Sequence, residues 1–126
     1  MILAALVAAS LVVPASVETI ARPAPDRDAT EMSLPQKRAV IRPLVSSANE
    51  CIARRVSGNP KFKTLTSAGA VNELIVESVP ACIDAVRAMI DAYDRLFGSG
   101  SGETFFMGPY LDDLPGVVDQ LVRDGR

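Results

Sequence analysis

Two cysteines, Cys51 and Cys82, the absence of histidine and several carboxylates at helical spacing define the chemistry open to this chain of 126 residues. A cysteine pair can be a redox centre, a metal site or a disulfide. The first two call for a close Cys-x-x-Cys spacing or histidine partners, and the chain has neither. A structural disulfide is therefore the expected role. Closing a loop of about thirty residues stabilises a fold by ~3–4 kcal/mol in the chain-entropy model, a large share of a small domain's net stability. Without histidine, Ser-His-Asp and Cys-His nucleophilic systems are excluded, as are His-ligated zinc and haem. No metal site and no cofactor are expected.

Carboxylates are the remaining route to catalysis. Asp91 and Asp94 stand three apart, Glu73 and Glu77 four apart, and Asp112 and Asp113 are adjacent. Paired carboxylates serve glycoside hydrolysis, where separations of ~5.5 Å or ~6.5–9.5 Å set the stereochemical outcome. Charges at i and i+3 or i+4 are more often the solvated face of an acidic helix. A carboxylate-dependent cell-wall glycan hydrolase is thus the remote alternative, and no catalytic residue is assigned. No Asp-x-Asp-x-Asp-Gly calcium loop is present.

Gly98-Ser99-Gly100-Ser101-Gly102 lacks the Lys-Ser/Thr and the preceding strand of a phosphate loop. It reads as a flexible connector. Next comes Phe105-Phe106-Met107-Gly108-Pro109-Tyr110-Leu111, the most aromatic passage of the chain. Aromatics and Met are enriched at interface centres, so Phe105, Phe106, Met107 and Tyr110 are the candidate partner-binding residues. The competing reading is a lid that fills an aromatic-poor core, and the two are compatible.

Charge is segregated. Between Lys37 and Lys63 stand seven basic residues and one acid, Glu50, whereas Thr64 to Arg126 holds four Arg against ten Asp and Glu. The expected arrangement is a basic helix lying against an acidic one, neutralised across the fold. The sharper alternative is an anion patch at Arg54, Arg55, Lys61 and Lys63, facing a lipid head group or a polyanionic envelope sugar. A net charge of -2 does not suit nucleic acid, which calls for a strongly basic face.

The elements positioning these groups are helices. Aromatics make up 5% of the chain and Trp is absent, so the core must be aliphatic and Ala, unlike that of a sandwich. A first helix is expected over 43–57, with a turn before it from Pro35, stopped by Gly58 and Pro60. Thr66 or Ser67 caps a second helix from Ala68, burying Val71, Leu74, Ile75 and Val79. Pro80 breaks the ladder, and a third helix over 81–97 carries Cys82, Val86, Met89, Tyr93 and Leu96 on one stripe. Asp112 or Asp113 caps a short last helix through Leu114, Val118 and Leu121, with Pro115 in its first turn. The expected fold class is all-α: a bundle of three to four helices with one interhelical disulfide, over residues 36–126.

Residues 1–13 form an apolar run, shorter than the ~20 residues a spanning helix needs and matched to a signal-peptide core of ~7–15 residues. A signal peptide is expected over 1–15, with a second candidate cleavage after Ala21, although no Lys or Arg precedes the run. Residues 16–35 mix proline with charge and read as a flexible tether. No transmembrane span is expected in the mature chain.

Together these features predict an exported protein, periplasmic or secreted, that is non-catalytic. It binds a protein or envelope component through its aromatic C-terminal segment, with the basic end assisting toward an anionic partner. In layout alone (small, helical, exported, two cysteines about thirty apart, charges segregated) the chain resembles the acid-activated periplasmic chaperones of the HdeA type. That resemblance implies an acid- or stress-responsive chaperone as the alternative. Protonating the ten C-terminal-half acids would then weaken their attraction to the basic helix and open apolar surface.

Overall fold

Ser33 and Gln36 start the first helix. The Gln36 N–H donates to Ser33 Oγ at 3.3 Å and the Ser33 N–H donates to Gln36 Oε1 at 2.8 Å, a reciprocal capping box that satisfies two otherwise orphaned donors. Pro35 sits in the first turn, where its missing N–H is not needed. From this start α1 runs Leu34–Gly58, well ahead of the expected start at Pro43. Pro43 lies inside the helix on its exposed side, where it removes one rung of the ladder. Gly58 stays within the helix, so the stop belongs to Asn59 and Pro60 rather than to a left-handed glycine. The Asn59 side chain accepts the Lys61 N–H at 3.0 Å and opens a 3-10 turn, Pro60–Thr64.

The structure, a computed structural model, describes residue 29, residues 31–65 and residues 68–125. The expected signal peptide over 1–15, most of the expected tether and the Thr66 or Ser67 cap lie outside the described residues. At the end of the stretch read as a tether, Ala29 is buried and Met32 packs beside it.

α2 spans Ala68–Ser78 and α3 spans Ile83–Phe97, joined by a 3-10 turn, Val79–Cys82, that contains Pro80. Gly98 ends α3 at φ 109° and Gly100 follows at φ 86°, both in the region that favours glycine. The expected flexible connector over 98–102 therefore shrinks to a tight turn. α4 begins at Ser101 (Ser101–Phe105), continues through a π-helical turn, Phe106–Tyr110, and runs into α5, Leu111–Asp124. The aromatic passage is helical rather than a segment outside the helices, and Asp112, Asp113 and Pro115 lie within α5. The described residues hold no strand, and among them no helix is long and apolar enough to cross a membrane.

α1 packs against α2, α3 and α5. One apolar cluster joins Ile52 and Val56 of α1 to Leu74, Met89, Leu114 and Val118, with smaller residues between them. A second joins Ile41 to Ala92 and Leu96 beside Ala29. Cys51 and Cys82 form the expected disulfide, with Cα atoms 5.9 Å apart.

α4 approaches α3 closely at Gly102. A Cβ there would collide with the Ile90 carbonyl of α3, and would lie 2.9 Å from Asp94 Oδ1. That same carboxylate accepts the Gly102 N–H at 2.8 Å, so Asp94 caps the start of α4 from the neighbouring helix.

Replacing both Cys51 and Cys82 by Ala is expected to lower the unfolding free energy by ~3–4 kcal/mol in urea melts; a change within error would show that the chain is held by packing alone. Gly102→Ala is expected to cost ~1–3 kcal/mol by overpacking against Ile90. Gly116→Ala adds a methyl with nothing within 4 Å and is expected to gain ~0.5–1 kcal/mol from helix propensity. Equal melting temperatures for these two variants would contradict the close approach.

Candidate functional site

The basic residues at the end of α1 are brought together by the turn that follows them. Asn59 and Pro60 reverse the chain, so the 3-10 turn returns Phe62 and Lys63 alongside Ala53 and Arg54. The last turns of α5 add Leu121 and Val122. The result is an open groove of about 610 Å³, with an apolar floor, Arg54 and Lys63 as cations, and Glu50 as its acid. Arg54 also borders a second depression of about 400 Å³, shared with Arg55, Asn59 and Glu77.

Arg54, Arg55 and Lys63 are exposed. Among the described residues there are two ion pairs: Lys61 Nζ to Glu77 Oε1 at 3.9 Å, and Arg123 to Asp119 at 3.0 Å within α5. The basic α1 lies against helices of the acidic half, as expected, but among the described residues Lys61–Glu77 is the one ion pair that joins the two halves. The four arginines of α1 are exposed, and of the four patch residues only Lys61 has an acidic partner among the described residues. A cation at a helix C-terminus is also favoured by the backbone dipole, which suits Arg55 in the last turn of α1.

The aromatic residues divide differently. Phe105 stacks on Tyr93 with ring centroids 4.3 Å apart, and Tyr110 lies 5.9 Å from Phe105 and 5.6 Å from Phe106. Tyr110 is buried in the main cluster, Phe105 and Phe106 are half-buried against it, and Met107 points outward, 63% exposed. Of the four candidate partner-binding residues, Met107 and the outer edge of Phe106 are presented to solvent, and Tyr110 is core.

The carboxylate pairs are dispersed. Asp91 is exposed while Asp94 is engaged with the Gly102 amide. Glu73 and Glu77 border a shallow depression made by α2 alone, with Asn72 and Val76, so they stand on one wall with no facing acid. Asp112 and Asp113 are exposed in the first turn of α5. Among the described residues no three His, Cys, Asp or Glu side chains are grouped to hold a metal.

The sequence reading passed over a further constellation. Leu34, Ile41 and Val45 of α1 and Tyr93 and Phe97 of α3 line an open trough of about 400 Å³, with Arg38 and Arg42 beside it. Its signal was present: the apolar spacing of α1 continues ahead of Pro43, with two arginines four residues apart.

Comparison with protein-family models, with curated proteins and with solved structures finds no match to this chain.

Tyr110 carries a pH prediction. Its hydroxyl is buried without a hydrogen-bond partner, and burial pushes its pKa from 10.0 to about 12. The unfolded chain releases this proton first, so the contribution is intact below pH 10 and is lost as pH rises from 10 to about 12. Its size is roughly 2–3 kcal/mol. Tyr110→Phe is expected to be neutral or mildly stabilising at neutral pH, because an unpartnered hydroxyl is removed. It is also expected to flatten the alkaline loss of stability. Parallel alkaline denaturation curves for the two proteins would show that Tyr110 is hydrated.

Proposed function

We propose that this is an exported, non-catalytic binding protein whose basic end holds an anionic partner, either an acidic protein segment or another envelope component. The observation that carries this reading is the groove between α1, the 3-10 turn and α5. There Arg54 and Lys63 stand over an apolar floor with no acidic partner within ion-pair distance among the described residues. An apolar floor supplies binding energy by burial, while unpaired cations supply orientation and a fast encounter with an anion. The disulfide is compatible with an oxidising, exported setting. Met107 and Phe106 offer a separate exposed surface at the start of the C-terminal run, where the Phe106 ring lies against Tyr110.

The test is capture from a native envelope fraction by the disulfide-bonded chain, compared with its Arg54→Glu, Lys63→Glu double variant. Both residues are exposed, so circular dichroism and melting are expected to remain unchanged. Partner recovery is expected to fall about tenfold or more, and wild-type recovery to weaken steeply as salt shortens the ~8–10 Å screening length. Undiminished, salt-insensitive capture by the variant would refute a role for the basic end.

A further inference from the structure

The trough at the other end of α1 differs in chemistry from the basic groove. Leu34, Ile41 and Val45 recur at +7 and +4 along α1, and together with Tyr93 and Phe97 of α3 they form a continuous apolar floor. Ile41 is buried and belongs to the second apolar cluster, whereas Leu34 is 50% exposed. The floor thus rises from the core to the surface. No acid lines it.

Its charge is concentrated on one side. Arg38 and Arg42 are four residues apart on α1, so they share a helix face, and both are exposed. Neither makes an ion pair among the described residues. Lys37 lies with Nζ 5.3 Å from the centre of the Phe97 ring, a cation held over the aromatic wall. One anion can bridge two neighbouring guanidinium groups, and the planar guanidinium matches a carboxylate in paired hydrogen bonds.

We propose that this trough binds a long-chain fatty acid. Its single acyl chain lies on the floor between α1 and α3, and its carboxylate is bridged by Arg38 and Arg42. The volume of about 400 Å³ is in the lower part of the ~300–1,000 Å³ range of small-ligand clefts. That suits one chain and not the two of a phospholipid. The concave shape and the one-sided cations also differ from the flat, broadly basic face that a bilayer surface selects. The site is separate from the basic end, so either can fail alone.

The experiment titrates the full disulfide-bonded chain with palmitate, read by displacement of a fluorescent fatty acid and by calorimetry. Saturable binding at one site is expected. Arg38→Gln with Arg42→Gln is expected to weaken it about tenfold or more, the scale of losing a charge-assisted contact, with melting unchanged. The long-chain alcohol of equal length, lacking the carboxylate, is expected to lose a similar factor. Val45→Trp, which fills the trough, is expected to abolish palmitate binding while leaving the basic end able to capture its partner. Absence of palmitate binding, or equal binding by the double Gln variant, would overturn the assignment. Binding to phosphatidylglycerol vesicles without binding of monomeric palmitate would replace it with a membrane-surface site.

Discussion

The bond between Cys51 and Cys82 ties the C-terminal third of the 25-residue α1 to the turn that joins α2 to α3. Its position matters as much as its strength. α1 is the element that touches α2, α3 and α5, and its inward face is made largely of Ala, Ile and Val. Such side chains bury modest area each, at ~25 cal/mol per Å², and a chain of this size has a thin margin over conformational entropy. A covalent link on the hub helix removes much of the freedom of the unfolded chain. The two concave surfaces use opposite ends of α1: residues 34–46 wall the trough with α3, and residues 50–57 wall the basic groove with α5.

The C-terminal run is organised by a second constraint, the contact of Gly102 with α3. Two glycines at positive φ turn the chain tightly, and the absence of a side chain at residue 102 lets α4 lie directly on the Ile90 carbonyl. Asp94 then supplies the acceptor that the start of α4 needs. With α4 anchored in this way, Phe105 is delivered onto Tyr93 and Tyr110 into the core. Pro109 has no N–H for the ladder, and the backbone widens into a π-helical turn around it. The aromatic segment is therefore a lid with an exposed edge.

Much of this was legible from residue types and spacing. The disulfide, α2, the break at Pro80, the extent of α3 and its stop at Gly98 followed from apolar periodicity and from the φ demands of Pro and Gly. The early start of α1 was missed although Ser33-x-x-Gln36 carries a capping-box signature, because Pro43 looked like a first-turn proline. The C-terminal run was misread for the opposite reason. Gly98 to Gly102 has the composition of a linker, and only the approach of α3 to Gly102 shows that one of those glycines is a packing requirement. Charge was the least legible feature. Composition shows that the halves differ in sign, but whether opposite charges meet depends on which faces of the helices turn toward each other.

That last point bears on how the molecule can work. An acid-opened fold needs carboxylates whose attraction to cations holds elements together. Among the described residues the one ion pair joining two elements is Lys61 to Glu77, at 3.9 Å and largely exposed, and such pairs contribute ~0–1 kcal/mol. Protonation at that pair removes little. The Asp94 acceptor is the more consequential carboxylate, because it caps a helix at a close packing contact. Even so, it governs the lid and leaves the disulfide-linked α1 in place. The uncompensated charge is what the proposed recognition of an anion rests on. Cations left facing solvent around apolar concavities contribute little to the fold, and they are placed where an anion that also offers apolar surface gains from both.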